Sequence, residues 1–241
     1  MKRRLVTLGL LLSMTVVAVF AALPPAAAQG DFERVELEAA DGLVLVGNYY
    51  AQPEGEELMP AVLLAHHGSS RKEAWIDFIP VVYDAGYAVL TIDQRGHGDT
   101  GGGMVPELGK NDILLWLEWL RDQPGVDPDR VSIVGASLGA DLGLLAMAED
   151  ERVPTLVGIS VLTQIEDIDT ASAVEAIGER PLFLIGGQRA GGEAEAIHTL
   201  LPLAAGDIQV RLYDTTACCT FLIMMNDDLA PAIIDWLNTH G

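Results

Sequence analysis

The chain has 241 residues, half of them apolar, and carries 14 Lys and Arg against 35 Asp and Glu, for a formal charge of −21. That length suits one large α/β domain with a sizeable core. So acidic a balance leaves no basic surface to displace counterions, which excludes nucleic acid as an expected partner. The 2 cysteines are adjacent, which excludes a disulfide framework and leaves the core to hold the fold.

The chain opens MKRRLVTLGLLLSMTVVAVFAALPPAAAQG, a basic triplet (Lys2, Arg3, Arg4) followed by an uncharged apolar run and a small-residue end. This is the layout of a secretory signal peptide over residues 1–28, with cleavage after Ala28. The alternative is a retained N-terminal anchor, because Leu5 to Leu23 approaches the ~20 apolar residues that span a bilayer. Under both readings residues 31–241 form a single domain outside the cytoplasm, and only the anchor would bring it to a membrane. The acidity then reads as a solvated, self-repelling surface on an exported protein.

RVELEA and LVLVGNYYA alternate apolar and polar residues around Asp41-Gly42, which predicts an antiparallel hairpin. The pattern then changes to short apolar runs: AVLLAHH, YAVLTID, RVSIVGA, TLVGISVL, PLFLIGG and IQVRLYD. Such runs suit strands buried on both faces of a parallel sheet. Between them lie stretches of helical period, KEAWIDFIPVVYDAG, NDILLWLEWLRD, GADLGLLAMAED, EAEAIHTLLPLA and LAPAIIDWLNTH. The alternation predicts an α/β fold: a doubly wound, mostly parallel eight-stranded sheet with right-handed crossovers, an antiparallel N-terminal hairpin and no cap domain. Ligands of such sheets bind at the carboxyl ends of the strands.

VGASLGA, Val134 to Ala140, follows a strand and opens a helix. A sharp strand-to-helix turn strains its apex, and flanking glycines let the chain approach its neighbours without a Cβ clash. Ser137 would stand exposed at the helix N-terminus as a nucleophile, where the helix dipole favours a developing anion. The plain alternative is a glycine-rich turn with an N-cap serine. Upstream, the His-Gly pair of LLAHHGSS ends a strand, like a loop that places one oxyanion-hole donor; the amides of Ser69 and Leu138 would be the two donors. His66 and His67 also read as loop-holding rings. In DQRGHGDT, residues Asp93, Arg95 and His97 read first as loop-ordering groups.

These motifs together (His67-Gly68, DQRGHG, GVDPDRVSIVGAS and the serine turn) resemble the α/β-hydrolase superfamily, in particular its small dienelactone hydrolase-like and serine aminopeptidase-like esterases. The resemblance runs from about Asp31 to Gly241. It implies a Ser-His-Asp/Glu triad, an acyl-enzyme route on esters, lactones, thioesters or amides, a small-molecule acyl substrate or ligand, and no cofactor or metal.

The remaining triad members depart from that pattern. Ala190 stands about where an aspartate is usual, leaving Glu193, with Glu195 beside it, or Asp167, with Asp169 beside it, as candidate acids. The histidine is expected in LYDTTACCTFL, where Cys218 holds its position. No histidine lies between His198 and His240. A surrogate base would be His67 or His97. Without an imidazole, loss of a triad member costs ~10⁴–10⁶ in turnover in well-studied serine hydrolases, so the competing reading is a catalytically inactive relative that binds a ligand or a protein. For Cys218 and Cys219 the readings are plain packing, a strained vicinal redox pair, or a metal set with His67 and His97.

Overall fold

The computed structural model describes residues 31–53, 55–163 and 168–241. The leader or anchor expected over residues 1–28 and the candidate acid Asp167 lie outside the described residues. Among the described residues no helix is long and apolar enough to cross a membrane.

The strands are β1 Glu33–Glu38, β2 Val44–Tyr50, β3 Met59–Ala65, β4 Ala88–Asp93, β5 Val126–Ala136, β6 Leu156–Ile159, β7 Leu182–Gly187 and β8 Ile208–Tyr213. They form one sheet in the order β1-β2-β4-β3-β5-β6-β7-β8. β1 and β2 pair antiparallel, β2 joins β4 antiparallel, and every later pairing is parallel. The expected hairpin is thus present, turned at Gly42 with φ +83°. The helices are α1 Ile79–Asp84, α2 Pro106–Arg121, α3 Leu138–Glu149, α4 Thr170–Ile177, α5 Glu193–Leu200, α6 Phe221–Met225 and α7 Leu229–His240.

The continuous apolar runs are explained by two cores, one on each face. Along β3, Ala61, Leu63 and Ala65 face a core built with Trp116, Leu117 and Leu120 of α2 and Leu142 and Leu144 of α3. Val62 and Leu64 face the other, built with Ile79 and Val82 of α1 and Ile233, Trp236 and Leu237 of α7. Successive side chains point to opposite faces, so a strand covered on both sides must be apolar at every position.

Three details differ from the expected pattern. KEAWIDFIPVVYDAG is a 3-10 turn, Lys72–Trp75, followed by the short α1. Pro80 has no N–H and its ring crowds the carbonyl four residues back, so one helix cannot run through. β8 is half-buried along its length, because it pairs only with β7 and closes the sheet at that edge. Two short helices, α4 and α6, escape a search for long periodic segments. α4 is started by Asp169, whose carboxylate accepts the Ser172 N–H at 3.0 Å.

Candidate active site

Ser137 sits between β5 and α3 with φ 48° and ψ −118°, a conformation that costs a non-glycine residue about 1–3 kcal/mol. The surroundings hold it there. Its N–H donates to the Ile159 carbonyl at 2.8 Å, and its own carbonyl accepts from the Ala140 and Asp141 amides at 2.8 and 2.9 Å. A Cβ on Gly135 would come within 2.5 Å of the Gly139 carbonyl oxygen, and one on Gly139 would strike the Ala65 carbonyl. Both glycines are therefore conditions of the turn.

The β3 loop stands over that turn: a Cβ on Gly68 would touch Leu138 Cδ2 at 3.5 Å. Neither the Ser69 nor the Leu138 amide has a hydrogen-bond acceptor among the described residues, so both donors are unspent. This is the pairing that an oxyanion requires in principle.

The three loop histidines have different surroundings. His66 is fully buried; its Nδ1 lies 2.8 Å from the His67 carbonyl and its Nε2 accepts the Gln94 N–H at 3.1 Å, which sets the tautomer. Burial pushes its pKa down to about 4, so it is a neutral strut between two loops. His97 places one ring nitrogen on the Gly68 carbonyl and the other 3.1 Å from the Arg95 carbonyl, leaving none for Ser137. His67 places Nδ1 3.0 Å from Ser69 Oγ and has no recorded partner on Nε2 among the described residues. Burial, and then the charge of nearby His97, lower its pKa. Its ring lies 6.4 Å from that of Phe221, the first residue of α6, so the β3 loop and the β8–α6 loop meet there.

The DQRGHGDT residues order their loop. Buried Asp93 accepts the Lys72 N–H at 2.8 Å, Lys72 Nζ at 2.6 Å and the Asp99 N–H at 2.8 Å. A Cβ on Gly98, at φ +50°, would overlap the Asp93 carboxylate. Arg95 grips Asp112 through two bonds of 2.7 and 2.8 Å and reaches Asp41 at 2.8 Å.

Across the sheet, Glu193 opens α5 with only 4% of its surface exposed. Its Oε2 accepts the Gly187 N–H at 2.7 Å, and burial raises its pKa above the usual range. Ser160 follows β6 with φ 59°, and its Oγ accepts the Cys219 N–H at 2.7 Å. The Gly191-Gly192 step, with Gly192 at φ +91°, carries the chain past Ala190 into α5, which begins at Glu193. Ser160 thus ties the end of β6 to the loop where a histidine is expected.

In that loop Cys218 is half-buried and Cys219 is buried; both are free thiols, with sulfurs 2.9 Å apart. Burial raises the Cys219 thiol pKa, and contact with Cys218 and the Glu193 charge raise it further, so Cys219 is held protonated. Cys218, His67 and His97 do not assemble a metal set: among the described residues no three His, Cys, Asp or Glu side chains gather around a common point.

The other residues weighed from the sequence lie elsewhere. Glu195 and His198 are exposed on α5. His240 Nε2 lies 3.2 Å from Asp207, and its ring stacks on Trp236 at 3.9 Å. Among the described residues none hydrogen-bonds the Ser137 hydroxyl.

Two residues near the site were not foreseen. Ser160 carried no signal, since a serine inside TLVGISVL reads as strand. Asp141, buried in the first turn of α3, accepts the Leu162 N–H at 3.0 Å on Oδ1 and leaves Oδ2 unpartnered. Burial raises its pKa to about 8. A carboxylate in the otherwise apolar GADLGLLAM was the available signal, hidden by its helical period.

Residues 60–203 match the family described as alpha/beta hydrolase fold. The chain is 28% identical over 180 residues to the thiohydrolase aneE of Aspergillus aculeatus, an alignment covering 71% of this chain and 55% of that protein. The chain spans about half the length of the curated relatives it matches. Among solved structures it is similar to the Pyrococcus furiosus esterase Pf2001, with a TM-score of 0.75 at 18% identity over 88% of this chain and 93% of that one. It is also similar to a dienelactone hydrolase from Anabaena variabilis, with a TM-score of 0.70 at 21% identity over 88% and 99%. Sheet order, serine turn and family match agree, and the chain belongs to the alpha/beta hydrolase fold family.

Proposed function

We propose that the protein is an exported hydrolase of small acyl esters or thioesters that works through Ser137, with the Ser69 and Leu138 amides as oxyanion hole and His67 as general base. The observation that carries the reading is the strained Ser137 backbone, φ 48° and ψ −118°, together with two unspent amides. A plain turn has no use for that strain, whereas a nucleophile at a helix N-terminus does. His67 is preferred to His97 because it alone of the two keeps a ring nitrogen without a partner among the described residues. Its lowered pKa leaves it neutral at pH 7 and able to accept a proton. Ester and thioester substrates are supported by relatives named esterase and thiohydrolase. Export is supported by the leader-like layout of residues 1–28.

The test is a fluorophosphonate probe. Wild type should be labelled, Ser137→Ala should not, and His67→Ala should be labelled more slowly. No labelling between pH 6 and 9 overturns the reading. The second reading, an inactive relative that binds an acyl ligand or a protein, is favoured by Cys218 standing where a histidine is expected and by the unpartnered Ser137 hydroxyl. It requires that wild type hydrolyse an acyl ester no faster than Ser137→Ala.

A further inference from the structure

We propose that Cys218 and Cys219 form a redox site, a vicinal dithiol that a small organic disulfide oxidises to a ring closed through the peptide bond between them and that thiols readily reopen. Neighbouring residues of an extended chain send their side chains to opposite sides, yet these two sulfurs face each other at 2.9 Å. The backbone brings them together: Cys219 has φ 62°, a left-handed conformation rare for a residue with a Cβ. It is held there by the 2.7 Å bond from its N–H to Ser160 Oγ and by burial among the apolar residues of one face, with 6% of its surface exposed. Ser160 is itself fixed by its N–H bond to the Ile185 carbonyl at 2.7 Å. The fold therefore presents one half-buried sulfur that a reagent can reach and one buried sulfur behind it.

That asymmetry sets the order of events. The Cys218 thiolate attacks one sulfur of the small disulfide, forming a mixed disulfide and expelling one thiolate, which takes up the proton Cys218 released. Cys219 then loses its proton and attacks the Cys218 sulfur, and the second thiol leaves. Two protein thiols are oxidised and one small disulfide is reduced to two thiols. Adjacent Cα atoms lie ~3.8 Å apart, below the usual ~4.4–6.8 Å span, so the product is strained and belongs with the labile disulfides.

The experiment equilibrates the folded chain with oxidised glutathione, traps free thiols by alkylation and weighs the intact protein. The expected product is two hydrogens lighter than the dithiol form, takes up no alkyl group and reverts with reductant. Cys219→Ser should stop at the glutathione mixed disulfide, and Cys218→Ser should be alkylated only after unfolding. Wild type that stops at a mixed disulfide, or keeps two alkylatable thiols, overturns the proposal. So does equal ring closure in the urea-unfolded chain, because the fold would then contribute nothing to the pair.

Discussion

The carboxyl edge of the sheet divides into two unlike regions. Around β3, β4 and β5 the buried polar groups interlock: His66 ties two loops, Asp93 takes three donors and Arg95 forks onto Asp112. Around β6, β7 and β8 the polar groups make separate contacts: Glu193 accepts the Gly187 N–H, and Ser160 Oγ accepts the Cys219 N–H. The first region ties its own loops with many redundant bonds, while the serine turn also leans on the second, through the Ser137 N–H on the Ile159 carbonyl at the end of β6. The second buries the Glu193 carboxylate and carries Cys218 where a histidine is expected.

The comparison can be broken most strongly by restoring what the second region lacks. In a His67→Ala background, Cys218→His should raise hydrolysis of a small acyl ester by about 10²–10⁴, the usual contribution of a positioned general base. Steady-state kcat/KM measures it, and no gain in a folded, probe-labelled variant would mean that this loop does not deliver side chains to Ser137. In the first region, Asp93→Ala strands the buried Lys72 ammonium and two amides and should cost about 3–5 kcal/mol in urea unfolding. A cost below about 1 kcal/mol would remove the interlocking from the account.

Two buried groups give stability opposite slopes with pH. His66 has its folded pKa lowered to about 4 from 6.5, so its contribution is complete above pH 6.5 and is lost as pH falls toward 4. Asp141 has its folded pKa raised to about 8 from 3.8, so the unfolded state releases its proton first and stability falls as pH rises between those values. The two offset each other up to pH 6.5. Above it the Asp141 slope stands uncovered, a decline on the order of 2 kcal/mol by pH 8. Asp141→Asn should flatten that decline in denaturation curves from pH 6.5 to 8, and an unchanged slope would refute it. The smallest effect is expected at Ser160→Ala, which leaves the buried Cys219 amide without an acceptor at about 1–2 kcal/mol. The same variant should weaken the pairing of the two thiols.

Much of the fold was legible because its signals are local. The apolar runs of β3 to β7, the Asp41-Gly42 hairpin and the glycines around Ser137 each follow from a few adjacent residues. The misreadings also have local causes. A single Pro80 splits one expected helix, and α4 and α6 are too short to show a period. At the site, motif spacing put Ser137 at the β5–α3 turn, where the structure has it with φ 48°. Glu193 could not be separated from Glu195 by spacing, because only the packing of α5 shows that Glu193 is buried against the Gly187 N–H while Glu195 is exposed. Nor could His67 and His97 be told apart until the carbonyls around each ring were known.

The sequence by itself determined the fold class, the position of the serine turn and the absence of a histidine where one is expected, because these rest on residue identity and short-range spacing. Only the tertiary structure decided that Glu193 is buried against the Gly187 N–H, that both ring nitrogens of His97 lie against carbonyls and that two adjacent cysteines face each other. Burial and hydrogen bonding are properties of residues brought together from distant parts of the chain, and no local pattern encodes which partners they meet.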